Sequence, residues 1–165
     1  MPRVLLAVVI SWSCFAPAPV RAAERTWVRP VDGPVVKPFV APKTRFGPGH
    51  LGVHLRAAPG TPVRAAGDGR VVFAGKVAYS RHIVIRHWNG WRTTYSFVAS
   101  MRVHVGARVR AGEVIGTTGG RGPNHDGTVL HLGLRIGDTY VDPMQLFDAR
   151  DLADRVHLAP LNPHQ

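Results

Sequence analysis

Short runs of β-branched and aromatic residues, alternating in period two and closed by glycine-containing turns, fill the chain from Gly60 to Asp142. Such a pattern builds strands with one buried face and leaves little room for helix. Upstream, Pro30, Pro34, Pro38, Pro42 and Pro48 rule out a continuous helix over residues 24–48, because each proline lacks the N–H that a helical turn needs. That segment reads as an extended, proline-rich lead-in with one short strand near Val35 to Phe39. Hairpins are expected where "TPVRA" and "GRVVFAG" flank "AGDG", where "RHIVIRH" and "WRTTYSFV" flank "WNG", and where "TVLHLGLRI" and "TYVD" flank "GD". At the second of these, Asn89-Gly90 predicts a type I′ turn. Only Pro143 to Val156 reads as helical, with a proline start and apolar Met144, Leu146, Phe147 and Leu152. The expectation is an all-β domain over 49–147, an antiparallel sheet core with short turns. The end of that short C-terminal helix and a tail occupy 148–165. There is no internal repeat and no heptad pattern.

Alternation assigns faces. His131, inside "TVLHLGLR", points away from Leu130 and Leu132 and shares its face with Val129 and Gly133. By the same rule Tyr95 and Phe97 share a face.

With 165 residues, the chain is long enough for one domain with a real core and no disulfide staples. Residues 1–23 have the layout of a secretory signal peptide: a basic "MPR", an apolar run through "VLLAVVI" and "SWSCF", then small residues with Val20 and Ala22 at the cleavage rule. The apolar run is too short to span a bilayer comfortably, so cleavage near Glu24 leaves no transmembrane segment. Trp12 stands where a lipidation signal at Cys14 wants a small or aliphatic residue. Cys14 is the only cysteine, so the mature chain excludes disulfides and thiol catalysis. Losing Arg3 and Arg21 from 21 Lys+Arg leaves 19 against 10 Asp+Glu, a net charge of +9. An exported basic domain suits polyanionic surfaces. Its arginines are scattered along the sequence, without the aromatic-interleaved basic stripe of a nucleic-acid reader, so nucleic acid is not an expected partner. A solvated surface explains scattered charge equally well.

Of nine histidines, three draw attention. His50 and His54 stand four apart in "GHLGVHL", where Pro48, Gly49 and Gly52 favour a loop, and His131 lies on a predicted strand. Neutral imidazoles are common zinc ligands, so the three could converge on a metal, although spacing alone is a weak signal. His82, His87, His104, His157 and His164 read as residues of surfaces or strand edges.

The motifs "GPGHLGVHLRAAPGTPVRAAGDGRVVFAG", "TTYSFV", "VHVGARVRAGEVIGTTG", "LHLGLR" and "YVDP" resemble the lysostaphin-type zinc metallopeptidases, or LytM domains, over about Val28 to Phe147. The resemblance implies that fold, and an H-x-x-x-D plus H-x-H zinc site. His50 matches the first ligand, His54 stands in place of the aspartate, and His131 matches the last. Two further family histidines act on the zinc-bound water and the developing oxyanion; Phe97 and Val129 stand in their positions, and Gly133 replaces an acidic residue. Aspartate to histidine keeps a metal donor, but Phe97 and Val129 can neither move a proton nor stabilise an oxyanion. General acid–base groups contribute about 10²–10⁴ in rate and one oxyanion donor about 10²–10³. Candidate substitutes are His125 and Asp126 in "GPNHDG", and Tyr95. The resemblance therefore implies an exported, cell-wall-associated pseudoenzyme of the bacterial envelope, with zinc on His50, His54 and His131. It would bind peptidoglycan or its stem peptides, or regulate a cell-wall hydrolase, as degenerate relatives activate wall amidases. The alternative is an active zinc metalloendopeptidase with a rearranged three-histidine site.

Overall fold

A computed structural model describes residues 26–44, 47–122 and 125–147. The expected signal peptide and the C-terminal tail lie outside the described residues. Among the described residues ten strands form one antiparallel sheet system: β1 (Val35–Lys37), β2 (Val53–Arg56), β3 (Pro62–Arg64), β4 (Gly69–Val77), β5 (Ser80–His87), β6 (Arg92–Met101), β7 (Arg108–Val109), β8 (Val114–Thr118), β9 (Val129–Ile136) and β10 (Thr139–Val141). The main path runs β1-β2-β9-β6-β5-β4-β7, with β10 beside β9, and β8 paired to both β3 and β6. The predicted all-β class holds. Helix is limited, among the described residues, to one turn over residues 145–147. The remainder of the predicted Pro143–Val156 helix lies outside them.

The long strands pair because their alternation offers one apolar face to a shared core. Leu130, Leu132 and Leu134 on β9 point inward, joined by Val53 and Leu55 of β2, Ile83 and Ile85 of β5, Val63, Val71 and Ile115. Each such side chain contributes about 1.5–3 kcal/mol through burial. The segment before β2 is bonded along the sheet: the Val28 N–H donates to the Ala66 carbonyl, Arg64 N–H to Pro30 and Arg56 N–H to Pro34. No helix among the described residues is long and apolar enough to cross a membrane.

Two turn expectations need correction. "AGDG" does not close a hairpin, because β3 pairs with β8 and β4 pairs with β5 and β7. Asp68 instead accepts the Ala111 N–H at 2.8 Å, tying this corner to the loop after β7. In the turn between β5 and β6 only Gly90 has a positive φ, 82°, so the turn is not type I′. His87 N–H donates to Trp91 O and Gly90 N–H to His87 O. That is a three-residue loop ending in a left-handed glycine. The Asn89 side chain accepts the Trp91 N–H at 3.1 Å, which replaces the positive φ that the dipeptide led us to expect.

Candidate metal and substrate site

Strand register builds the site. Lys37 on β1 pairs with His54 on β2, His54 with His131 on β9, His131 with Ser96 on β6, and Ser96 with His82 on β5. Residues paired directly across a sheet share a face, and neighbouring strands lie about 4.7–4.9 Å apart. The five side chains therefore form one row on the face opposite the leucine core. Together with His50, Phe97 and His125 they line an open pocket.

His50 enters from the loop before β2. It forms an isolated bridge with Val40, with N–H···O distances of 2.8 and 3.0 Å in the two directions. Its Nδ1 donates to the Pro38 carbonyl at 2.7 Å. This fixes the tautomer and leaves Nε2 as a bare lone pair, buried and without a hydrogen-bond partner among the described residues. One ring nitrogen from each of His50, His54 and His131 lies within 4.8 Å of the others. Burial first, and then repulsion from the neighbouring His50, His125 and Lys37, holds His54 down at about 4. Burial, followed by repulsion from His54, His50, His125 and His82, holds His131 down at about 3. Both rings are therefore neutral donors at neutral pH, the form a metal needs. The orphaned Nε2 and the neutral donor set fit a zinc-type ion. Gly52 makes room for it: a Cβ there would sit 2.8 Å from both Cε1 and Nε2 of His131.

Phe97 departs from simple alternation. The β5–β6 register shifts so that Arg81 faces Val98 while His82 faces Ser96. Phe97 is left as the extra residue of a bulge, with φ of 63°. A left-handed phenylalanine is strained, and such strain persists where surrounding structure holds it. The bulge separates Tyr95 from Phe97, which do not share a face as predicted. Tyr95 is fully buried; its hydroxyl accepts the Ala66 N–H at 2.7 Å and lies 3.1 Å from Thr93 Oγ1. Burial raises it to about 12. Tyr95 is thus a core residue outside the pocket. Phe97 turns into the pocket, where its ring stacks on His125 with centroids 3.5 Å apart and planes 14° from parallel.

His125 does reach the site: its Nε2 lies 3.2 Å from Nε2 of His54. Asp126 does not. Its Oδ1 accepts both the backbone N–H and the hydroxyl of Thr128, at 2.9 and 2.6 Å. Those two bonds hold its carboxyl below the ordinary range. Asp126 is a turn residue. Val129, on β9, pairs with Arg56 of β2 and supplies no polar group. Two residues escaped the sequence reading. Lys37 sits on a strand that pairs beside His54, and His82 is a half-buried wall of the pocket. His82 Nδ1 bonds Ser96 Oγ at 2.8 Å and its Nε2 bonds Ser80 Oγ at 2.7 Å. Only the register, hidden by the bulge, would have found it. His87, expected at a surface or edge, is 4% exposed. It bonds the Asp68 carbonyl at 2.9 Å and Thr93 Oγ1 at 2.8 Å.

Known proteins are similar to this chain in sequence and fold. A protein of Mycobacterium tuberculosis described as uncharacterized is 35% identical over 161 residues, covering 93% of this chain and 63% of its own length. The chain thus spans less than two thirds of that relative. The DD-carboxypeptidase/endopeptidase Mpg of Neisseria meningitidis is 40% identical over 98 residues, 59% of this chain and 22% of Mpg. Among solved structures, a zinc containing peptidase from Vibrio cholerae superposes with a TM-score of 0.63 and 28% identity, over 72% of this chain and 39% of that one. The model of peptidase family M23 matches residues 48–143. That match takes in more than half of the chain and every histidine of the pocket, and the chain belongs to peptidase family M23.

Proposed function

We propose that this chain is an exported, zinc-holding M23 domain that binds peptidoglycan peptides without cleaving them, and acts as a wall-binding or regulatory module. The observation that carries the reading is Phe97: an apolar ring held in a bulge at the pocket, where the family resemblance expects a proton-handling histidine. His50, His54 and His131 would hold the zinc. Bound there, the metal would supply Lewis-acid polarisation of a peptide carbonyl and acidify a water. His50 is oriented for this by Pro38, and His54 and His131 are kept neutral by burial. Lys37, at the pocket rim, offers an ammonium to a stem-peptide carboxylate. Neither Phe97 nor Val129 can accept a proton from water or donate to an oxyanion. His82 has both nitrogens committed to serine hydroxyls.

Sedimentation with purified peptidoglycan sacculi tests the binding. Zinc-loaded protein should pellet with the sacculi, and His131→Ala should lose both the zinc and most of the pelleting. Pelleting that is indifferent to His131→Ala would remove the pocket from the account. A second reading, an active endopeptidase, draws on one observation: His125 Nε2 stands 3.2 Å from His54, within reach of the metal site as a substitute base. Digestion separates the two, since only the second releases muropeptides.

A further inference from the structure

The arginines that look scattered in the sequence are gathered by strand register. Arg108 on β7 pairs with Arg70 on β4, Arg70 with Arg86 on β5, Arg86 with Arg92 on β6, and Arg92 with Arg135 on β9. Five adjacent strands each contribute one guanidinium to a single row. Four steps at the strand spacing make it about 19 Å long. It lies on the same face as the histidine row, because Arg86, Arg92 and Arg135 are each four residues from His82, Ser96 and His131. Four residues along a strand put the two rows about 13 Å apart.

Like charges directly opposite each other in a sheet are destabilising, and this row has four such pairs. Little among the described residues compensates them. Among the described residues the one ion pair is Arg135 with Asp138. Arg70 donates to the Gly106 carbonyl at 2.8 Å and Arg92 to the Gly137 carbonyl at 3.0 Å, both neutral partners. Arg70, Arg86 and Arg108 line one open cleft with Trp88. Its carboxylate, Asp68, already accepts the Ala111 N–H.

We propose that the row is a binding track for a linear phosphodiester polyanion, specifically a polyol-phosphate chain of the anionic wall-polymer class. Three features select that occupant. Guanidinium forks match phosphate oxygens and are weakly hydrated. One cation per strand spacing demands a ligand with closely and evenly spaced charges. A stem peptide, with its few carboxylates, does not offer that density, whereas a polyol-phosphate repeat does. The described aromatic rings stand at the edges of the row rather than interleaved with its arginines as a single-strand stacking platform would have them: Trp88 joins the cleft from the loop beyond Arg86, and Tyr140, paired with Arg135 from β10, is covered by the Arg135 guanidinium. The choice of a wall polymer rests on the proposed wall location, but the row is separate from the peptide-binding pocket, since it uses different residues.

The test is the affinity of the full chain for poly(glycerol phosphate) as a function of salt. Arg86→Gln with Arg108→Gln removes two row charges whose side chains make no hydrogen bond among the described residues. Arg64→Gln with Arg102→Gln, off the row, makes the same change in net charge. The row variant should bind about 10-fold more weakly, with a salt slope shallower by about 1–2, and its thermal midpoint should stay level or rise. The off-row variant and His131→Ala should bind as the parent does. Equal losses in the row and off-row variants would overturn the proposal in favour of diffuse charge. So would binding of polyglutamate or single-stranded DNA as tight as that of the polyol phosphate. Loss of polyanion binding in His131→Ala would show that the row is not a separate site.

Discussion

His50 shows how much of a site can rest on one side chain's second nitrogen. The Pro38 carbonyl takes the Nδ1 proton, and Nε2 is left facing His54 and His131. Gly52 guards the same space. Gly52→Ala should place a methyl 2.8 Å from the His131 ring, destabilising the fold by about 1–3 kcal/mol and weakening zinc binding. Urea denaturation and competitive zinc titration would read the two effects, and an unchanged zinc affinity would contradict the geometry. Asp126 should behave oppositely. Asp126→Ala removes the acceptor of two hydrogen bonds from Thr128 and should lower the urea midpoint slightly, while zinc affinity stays that of the parent. The sequence offered His125, Asp126 and Tyr95 together as substitutes. Nothing in a sequence separates a histidine that stacks on Phe97 from an aspartate that turns back on its own loop or a tyrosine capped by a core amide. His125 and Tyr95 are placed by residues 28 to 71 positions away, and the aspartate alone is held locally, by Thr128 two positions on.

At the level of elements, β2 and β9 carry the account, because His54 and His131 are cross-strand partners. Zinc should therefore slow amide exchange chiefly in Val53–Arg56 and Val129–Ile136, and β4 and β7 should change little. At a free zinc concentration of 100 times the dissociation constant the stabilisation is about 2.7 kcal/mol. Protection that rises equally in all strands would argue that the metal binds elsewhere or acts only on global unfolding. The period-two alternation of "TVLHLGLR" made the face of His131 legible, and the leucines beside it are indeed the core. The β6 face was not legible past Ser96. One extra residue in the strand reverses every later side chain, and the bulge leaves no mark in "TTYSFV" because its left-handed position is held by a phenylalanine rather than a glycine.

The whole molecule couples core and site through histidines that burial keeps uncharged. His54, His87 and His131 are all pushed below the ordinary 6.5, each chiefly by burial. The unfolded chain takes up protons near 6.5 that the folded metal-free chain refuses. Stability is therefore fully present above that value and falls as pH drops below it. The urea midpoint of the metal-free protein should decline from pH 7 to pH 5, and a midpoint flat across that window would contradict the burial of these three rings. Charge shows the limit of linear reading. Eighteen arginines spread along 165 residues look like ordinary surface, and only the β7-β4-β5-β6-β9 order lines five of them up. Fold class and family motifs were legible because they sit in local alternation and turns; the histidine and arginine rows were not, because they exist only across strands.

The central claim is that this site can hold a metal but lacks the groups that would use it. Its most direct measurement is digestion of purified peptidoglycan by zinc-loaded protein, with released muropeptides separated and counted beside a metal analysis of the same sample. The account predicts about one zinc per chain and no release above the His131→Ala background. Zinc-dependent release of muropeptides, abolished by His131→Ala, would contradict it.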